Sequence, residues 1–193
     1  MSLHRNPSGR GRVRALLCAL LPFVFSIASC ATTMKTPSEG TFLAGVPFFR
    51  QEAYQCGPAA LATVIDYWHA KTGAGRRVTP EDMASAIYSP TARGVLGMDL
   101  ERYAGKQGFL TRQYRGTIED LRGCIDEGTP PIILVDLGFA LYQVNHFAVV
   151  TGYNTEGLFV NSGGEENRFI REGEFKKIWG KSGNWMLVVR PPA

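Results

Sequence analysis

The hydrophobic pattern changes period at Pro131, and that change decides the fold class. Before it, apolar residues recur at helical spacing: Leu61, Val64, Ile65 and Trp68 fall at i, i+3, i+4 and i+7, and Ile118, Leu121, Cys124 and Ile125 form a second such stripe. After it come short β-branched and aromatic runs: Ile132 to Leu137, Asn145 to Tyr153, Gly157 to Asn161 and Asn184 to Arg190. Helices first and strands afterwards predict an α+β fold, a helical half packed on a largely antiparallel sheet.

Punctuation sharpens the helices. The first runs from Cys56 or Gly57 to about Ala70, with Pro58 in its first turn, where a missing N–H costs nothing, and Gly73 near its exit. Thr79-Pro80-Glu81-Asp82 starts a second with a capping-box pattern. A third spans Asp99 to Gln107 and stops at Gly108, Thr117 caps a fourth, and a short helix near Glu172 to Trp179 precedes the last strand. Thr41 to Phe49 reads as an extended leading segment, and Asn154 to Gly157 as a turn.

The formal charge of +4 over 193 residues suggests nucleic acid only until the basic residues are located. Arg5, Arg10, Arg12 and Arg14 precede residue 15, and no Asp or Glu occurs before Glu39. Without those four the balance is even, 17 basic against 17 acidic residues, so nucleic acid loses its support. The basic stretch, the apolar run Ala15 to Ile27 and the small residues Ala28 and Ser29 form a secretory signal, too short for a stable membrane span. Ile27-Ala28-Ser29-Cys30 is similar to the bacterial lipobox, in which cleavage leaves Cys30 as a lipidated N-terminus; a polar tether follows to Gly40. The expected organisation is a signal peptide over 1–29, a lipidated Cys30 and tether over 30–40, and one domain over 41–193. That places the domain in a bacterial envelope, anchored to the membrane through Cys30. Ala31 in place of Asp resembles the pattern sent to the outer membrane in Gram-negative cells, there facing the periplasm.

Cys18 leaves with the signal and Cys30 is blocked, so two thiols remain. Cys124 falls on an apolar helical stripe, as a small core residue does. Cys56 falls at a helix start, where unpaired N–H groups and the positive end of the dipole favour an anion. His146 opens the strand Asn-His-Phe-Ala-Val-Val and shares a face with Ala148 and Val150, small residues that leave room for a partner. The following strand ends at Asn161, whose amide could hold the imidazole in one tautomer. Gln51, five residues before Cys56, could donate to the oxygen of a tetrahedral intermediate together with the Cys56 N–H. His69 lies 13 residues along the helix from Cys56, about 20 Å at 1.5 Å per residue, and cannot serve it. Two His and two Cys so dispersed make no metal site, and no cofactor motif is present. Trp179, Trp185, Tyr142 and Phe139 read as core or as the lining of a peptide cleft.

The string VPFFRQEAYQCGPAALATVIDYW, followed by NHFAVVTGYN and an Asn at the end of a strand, resembles the C39 peptidases, papain-like cysteine peptidases that trim double-glycine leaders. The resemblance covers nearly all of residues 41 to 190 in element order. It implies a papain-like α+β fold and a peptide or protein substrate. It makes Cys56 the nucleophile, His146 the general base and acid, Gln51 the oxyanion donor and Asn161 the orienting residue, at a place where family members more often carry Asp followed by Pro. The Gln-to-Cys spacing is one shorter than usual, and no transporter domain accompanies the peptidase region. Mechanism is therefore carried over further than substrate. The expectation is a monomeric, lipid-anchored cysteine peptidase; the alternatives are acyl or γ-glutamyl transfer through the same thioester, as in the related phytochelatin synthases, and a peptide-binding module without turnover.

Overall fold

Strands β3 (Ile132–Asp136) and β4 (Asn145–Tyr153) are buried on both faces, which explains their nearly continuous apolar character and forces a helix layer onto each side of the sheet. The structure, a computed structural model, describes residues 39–51, 55–89 and 94–192. The signal peptide, Cys30 and the tether as far as residue 38 lie outside the described residues. The remaining elements are β1 (Thr41–Phe42), α1 (Cys56–Thr72), α2 (Pro80–Ile87), α3 (Gly97–Lys106), β2 (Leu110–Arg115), α4 (Ile118–Asp126), β5 (Gly157–Ser162), β6 (Glu165–Arg171), α5 (Glu172–Lys181) and β7 (Trp185–Arg190).

The strands form one antiparallel sheet in the order β2-β7-β3-β4-β5-β6, with β1 pairing the far end of β4. One core gathers α1 and α3 against Ile132, Phe147, Val149, Leu187 and Val189. The other gathers α4 and α5 against Ile133, Val135, Ala148, Val150, Val160 and Val188. Alternation along each strand therefore assigns every side chain to one of two helix layers. This is the expected α+β class, with three layers rather than two.

Local chemistry forms the helices as expected. Thr79 and Thr117 each accept from the N–H three residues on, while Asp82 and Asp120 reach back to complete the capping boxes. Gly73 closes α1 in the left-handed conformation, φ 69°. Asn154 accepts from the N–H groups of Glu156 and Gly157 at 2.8 and 2.9 Å and makes the β4–β5 turn. Two strands, β2 and β6, go unannounced in the sequence. Both are sheet edges with mostly polar, exposed residues, so neither carries an apolar alternation.

Of the four aromatics, Trp179 is core, 1% exposed, and donates its indole N–H to the Trp185 carbonyl at 2.9 Å. Trp185 is half-buried against Phe147. Phe139 and Tyr142, by contrast, are 87% and 75% exposed on the β3–β4 loop. Asp136 holds that loop, accepting from the N–H groups of Gly138 and Val144. Those bonds keep the Asp136 carboxyl below the usual carboxylate range.

Trp179→Ala should lower the unfolding free energy by roughly 3–5 kcal/mol, since it empties a filled site between α5 and the sheet. Urea denaturation followed by circular dichroism measures it; a loss below 1 kcal/mol would contradict this packing.

Candidate active site

Helix α1 begins without a side-chain cap: Gln55 occupies the N-cap position and its side chain makes no capping bond. Among the described residues the first-turn N–H groups of Cys56 and Gly57 thus have no side-chain capping acceptor, while Pro58 has no N–H to satisfy. Gly57 lets this helix start approach β4 closely. A Cβ placed there would lie 3.4 Å from the Phe147 ring and 3.1 Å from the Val95 Cβ. Since Phe147 follows His146 and Gly57 follows Cys56, that contact brings the beginnings of α1 and β4 to one place.

The two side chains do not yet meet there. Cys56 is half-buried and packs against the α1-side core. His146 pairs with Val135 on β3 and stands two residues from Ala148, both on the α4/α5 face. Its Nε2 is buried with no hydrogen-bond partner among the described residues. Burial, helped by the nearby Arg168 guanidinium, holds the imidazole below its ordinary pKa of 6.5 and keeps the ring neutral near pH 7.

Asn161 is not placed beside His146. It pairs with Val149, so its side chain lies on the α1 face, one layer away from the imidazole's side of the sheet. Its Nδ2 donates to the Pro47 carbonyl at 3.3 Å and its Oδ1 accepts from the Asn167 N–H at 2.9 Å. Asn167 adopts φ 49° and its own Oδ1 accepts from the Thr151 hydroxyl at 2.7 Å. The amide expected to orient the histidine instead clamps the leading segment onto β5 and β6.

The residue on the correct face is Ser162. Continued by one pair from Val149 and Asn161, the β4–β5 register sets Ser162 beside Ala148, diagonal to His146. Diagonal neighbours across antiparallel strands lie about 7 to 8 Å apart at Cα, within reach of a long side chain. Arg168, opposite Val160 on β6, shares this face. The β4–β5 register, not the residue type, decides that Ser162 and not Asn161 shares the histidine's face, since successive strand residues alternate.

Gln51 is tied to the same corner. Its backbone N–H donates to the Gly163 carbonyl at 2.9 Å, and its Oε1 accepts from the Gly163 N–H at 3.1 Å. The carbonyl end of its amide is thereby held, and the NH₂ end makes no hydrogen bond among the described residues. Cys124 belongs to the opposite core, and burial pushes its thiol up. His69 engages the Arg76 carbonyl at 2.8 Å near the end of α1, away from Cys56. Among the described residues, no three His, Cys, Asp or Glu side chains come together to hold a metal.

Residues 43–186 match the Peptidase_C39 like family. The chain belongs to that family. None of the curated proteins is similar enough in sequence to match. Among solved structures, a Bacillus anthracis protein described as a C39-like peptidase is 18% identical with a TM-score of 0.64, over 80% of this chain and 99% of that one. A double glycine motif protease from an AMS/PCAT transporter, solved with the leader peptide, is 23% identical with a TM-score of 0.60, over 78% and 95% of the two chains. The peptidase domain of Streptococcus ComA, a bi-functional ABC transporter of a quorum-sensing pathway, is 22% identical with a TM-score of 0.58, over 75% and 97%. At these identities the likeness establishes the papain-like C39 fold.

The site's electrostatics can be checked directly. In an NMR titration the His146 ring should have its midpoint below 6.5, and Arg168→Gln should move it upward. A midpoint at or above 6.5 in the unmodified chain would contradict this placement.

Proposed function

We propose that the chain is a cysteine peptidase, exported and lipid-anchored through Cys30, in which Cys56 is the nucleophile and His146 the general base and acid. The observation that supports this reading is that the starts of α1 and β4, the segments that bear Cys56 and His146, lie against each other at Gly57 and Phe147 in a chain whose residues 43–186 match a C39-like peptidase family. Catalytic hydrogen bonds are often long or unmade before substrate binds, and the His146 Nε2 has no hydrogen-bond partner among the described residues. A neutral His146 takes the thiol proton as Cys56 Sγ attacks the peptide carbonyl carbon. The oxyanion is received by the Gln51 amide and the Cys56 N–H. As the C–N bond breaks, His146 gives its proton to the leaving amine, and water then cleaves the thioester.

In this reading Ser162, rather than Asn161, positions the imidazole. A hydroxyl accepts a hydrogen bond from the ring but brings no negative charge, which fits a histidine held neutral rather than as an imidazolium. Asn161 serves the fold.

The absence of a Cys56–His146 hydrogen bond favours a second reading, a peptide-binding module without turnover. Brief iodoacetamide treatment with peptide mapping separates the two. An activated Cys56 is alkylated much faster than Cys124 and stays reactive well below pH 8, whereas a binding module shows an ordinary thiol profile at Cys56.

For the peptidase, Cys56→Ala should abolish hydrolysis of a peptide library without altering the circular dichroism spectrum. Gln51→Ala should lower kcat about 10²- to 10³-fold. Ser162→Ala should lower kcat by about tenfold, a fraction of what general acid–base catalysis supplies. Asn161→Ala should act on stability instead, by about 1–3 kcal/mol, because it leaves the Asn167 N–H unpaired. Near-wild-type turnover by Cys56→Ala would sink the assignment. Anchoring has its own test: a clickable fatty acid fed to the expressing bacterium should label the wild-type chain and not Cys30→Ala.

A further inference from the structure

The end of the sheet at which β4 begins carries a set of exposed apolar side chains. The β3–β4 loop, residues 137–144, presents Leu137, Phe139, Leu141, Tyr142 and Val144, with Leu141 fully exposed and Phe139 nearly so. Hydrogen bonds fix the loop in that form. Asp136 accepts from the N–H groups of Gly138 and Val144, and the Lys181 ammonium donates to the Gly138 carbonyl at 2.7 Å. The Leu137 N–H donates to the Val144 carbonyl at 2.9 Å and the Tyr142 N–H to the Phe139 carbonyl at 3.0 Å. Leu96 and Met98, each about half exposed, flank the same end: Gly97 between them rests on the Trp185 ring, which packs against Phe147.

No Asp, Glu, Lys or Arg occurs from Leu137 to His146, and the buried Asp136 carboxylate is committed to its two N–H groups. The exposed charge beside the loop is cationic. Lys181 and Lys177 share one face of α5 at the end that touches the loop, and neither enters an ion pair among the described residues. Glu172 and Glu174 stand at the opposite end of that helix. Small ligands occupy concave pockets and helical peptides lie in grooves, whereas Phe139 and Leu141 protrude. Protruding apolar side chains with an interfacial Tyr and adjoining lysines are complementary to a bilayer bearing anionic headgroups. The tether is long enough to permit the contact. Thr41 pairs with Tyr153, about 27 Å along β4 from Asn145 at 3.4 Å per residue. The eleven residue steps from Cys30 to Thr41 reach about 36–40 Å when extended. We propose that the β3–β4 loop seats in the headgroup region of an anionic bilayer, a second attachment beside the acyl chains that holds the start of β4, with His146, at the membrane surface. This rests on the anchored reading above for the bilayer that is reached.

The test places a reporter on the loop. The chain is expressed in a bacterium as Phe139→Trp, purified with the acyl groups it carries and reconstituted into phosphatidylethanolamine–phosphatidylglycerol vesicles. Its emission is compared with that of the unsubstituted protein, whose own indoles are Trp68, Trp179 and Trp185. Phospholipids brominated near the headgroup end of the acyl chain should quench most of the added emission and shift it to shorter wavelength. Leu141→Asp in the same background should abolish both changes without altering the circular dichroism spectrum, and phosphatidylcholine in place of phosphatidylglycerol should lessen them. Absence of quenching, quenching that survives Leu141→Asp, or equal quenching without the anionic lipid overturns the proposal. So does a shift that appears without lipid and grows with protein concentration, which assigns the loop to a second copy, or one that follows added peptide instead of lipid, which assigns it to substrate. Fatty-acid labelling without quenching overturns the loop contact and leaves the anchor standing. Quenching without labelling supports the loop contact and removes the anchor alone.

Discussion

Helix α1 sets its first turn on the start of β4 at Gly57, where an added Cβ would already touch the Phe147 ring at 3.4 Å and press on Val95 at 3.1 Å. Both belong to the packing of the helix start on β4. From that approach follow the burial of Leu61, Val64 and Ile65, the indole bond from Trp68 to the Val189 carbonyl at 2.8 Å, and the position of Cys56 at the edge rather than inside the core. A bulkier residue would press on Val95 and Phe147 at the helix's first turn.

The second organising constraint is strand alternation. With β3 and β4 buried on both faces, every residue of the site belongs to one side or the other. Phe147 and Asn161 serve the α1 layer; His146, Ser162 and Arg168 serve the α5 layer. The site lies where these layers meet, at the start of β4. A neutral imidazole fits that border, since the nearby formal charge in its environment is the cation Arg168.

Much of this was legible in the chain. The Thr79 and Thr117 caps, the α1 stripe and the Asn154 turn express local chemistry, so their elements appear where reading places them. Cys56 at a helix start and His146 at a strand start are local facts too. What could not be read was the pairing. β2 and β6 are stabilised by their neighbours, not by a pattern of their own, and are silent in the sequence. Ser162 and Asn161 are adjacent and equally polar; only the β4–β5 register tells which faces the histidine. In the sequence Arg168 is one more charge on a polar stretch; the pairing of β6 with β5 is what sets it opposite Val160.

The bonds between Gln51 and Gly163 join segments 112 positions apart, and the one from Asn161 to Pro47 spans 114. Nothing local holds these groups in place. They come together only after β5 has joined the sheet and the leading segment has docked upon it. Until the C-terminal third has folded, Cys56 has neither a Gln51 fixed on Gly163 nor the strand that carries His146. For the proposed peptidase, assembly order thus acts as a safety catch, because the groups of its site come together only with the last strands.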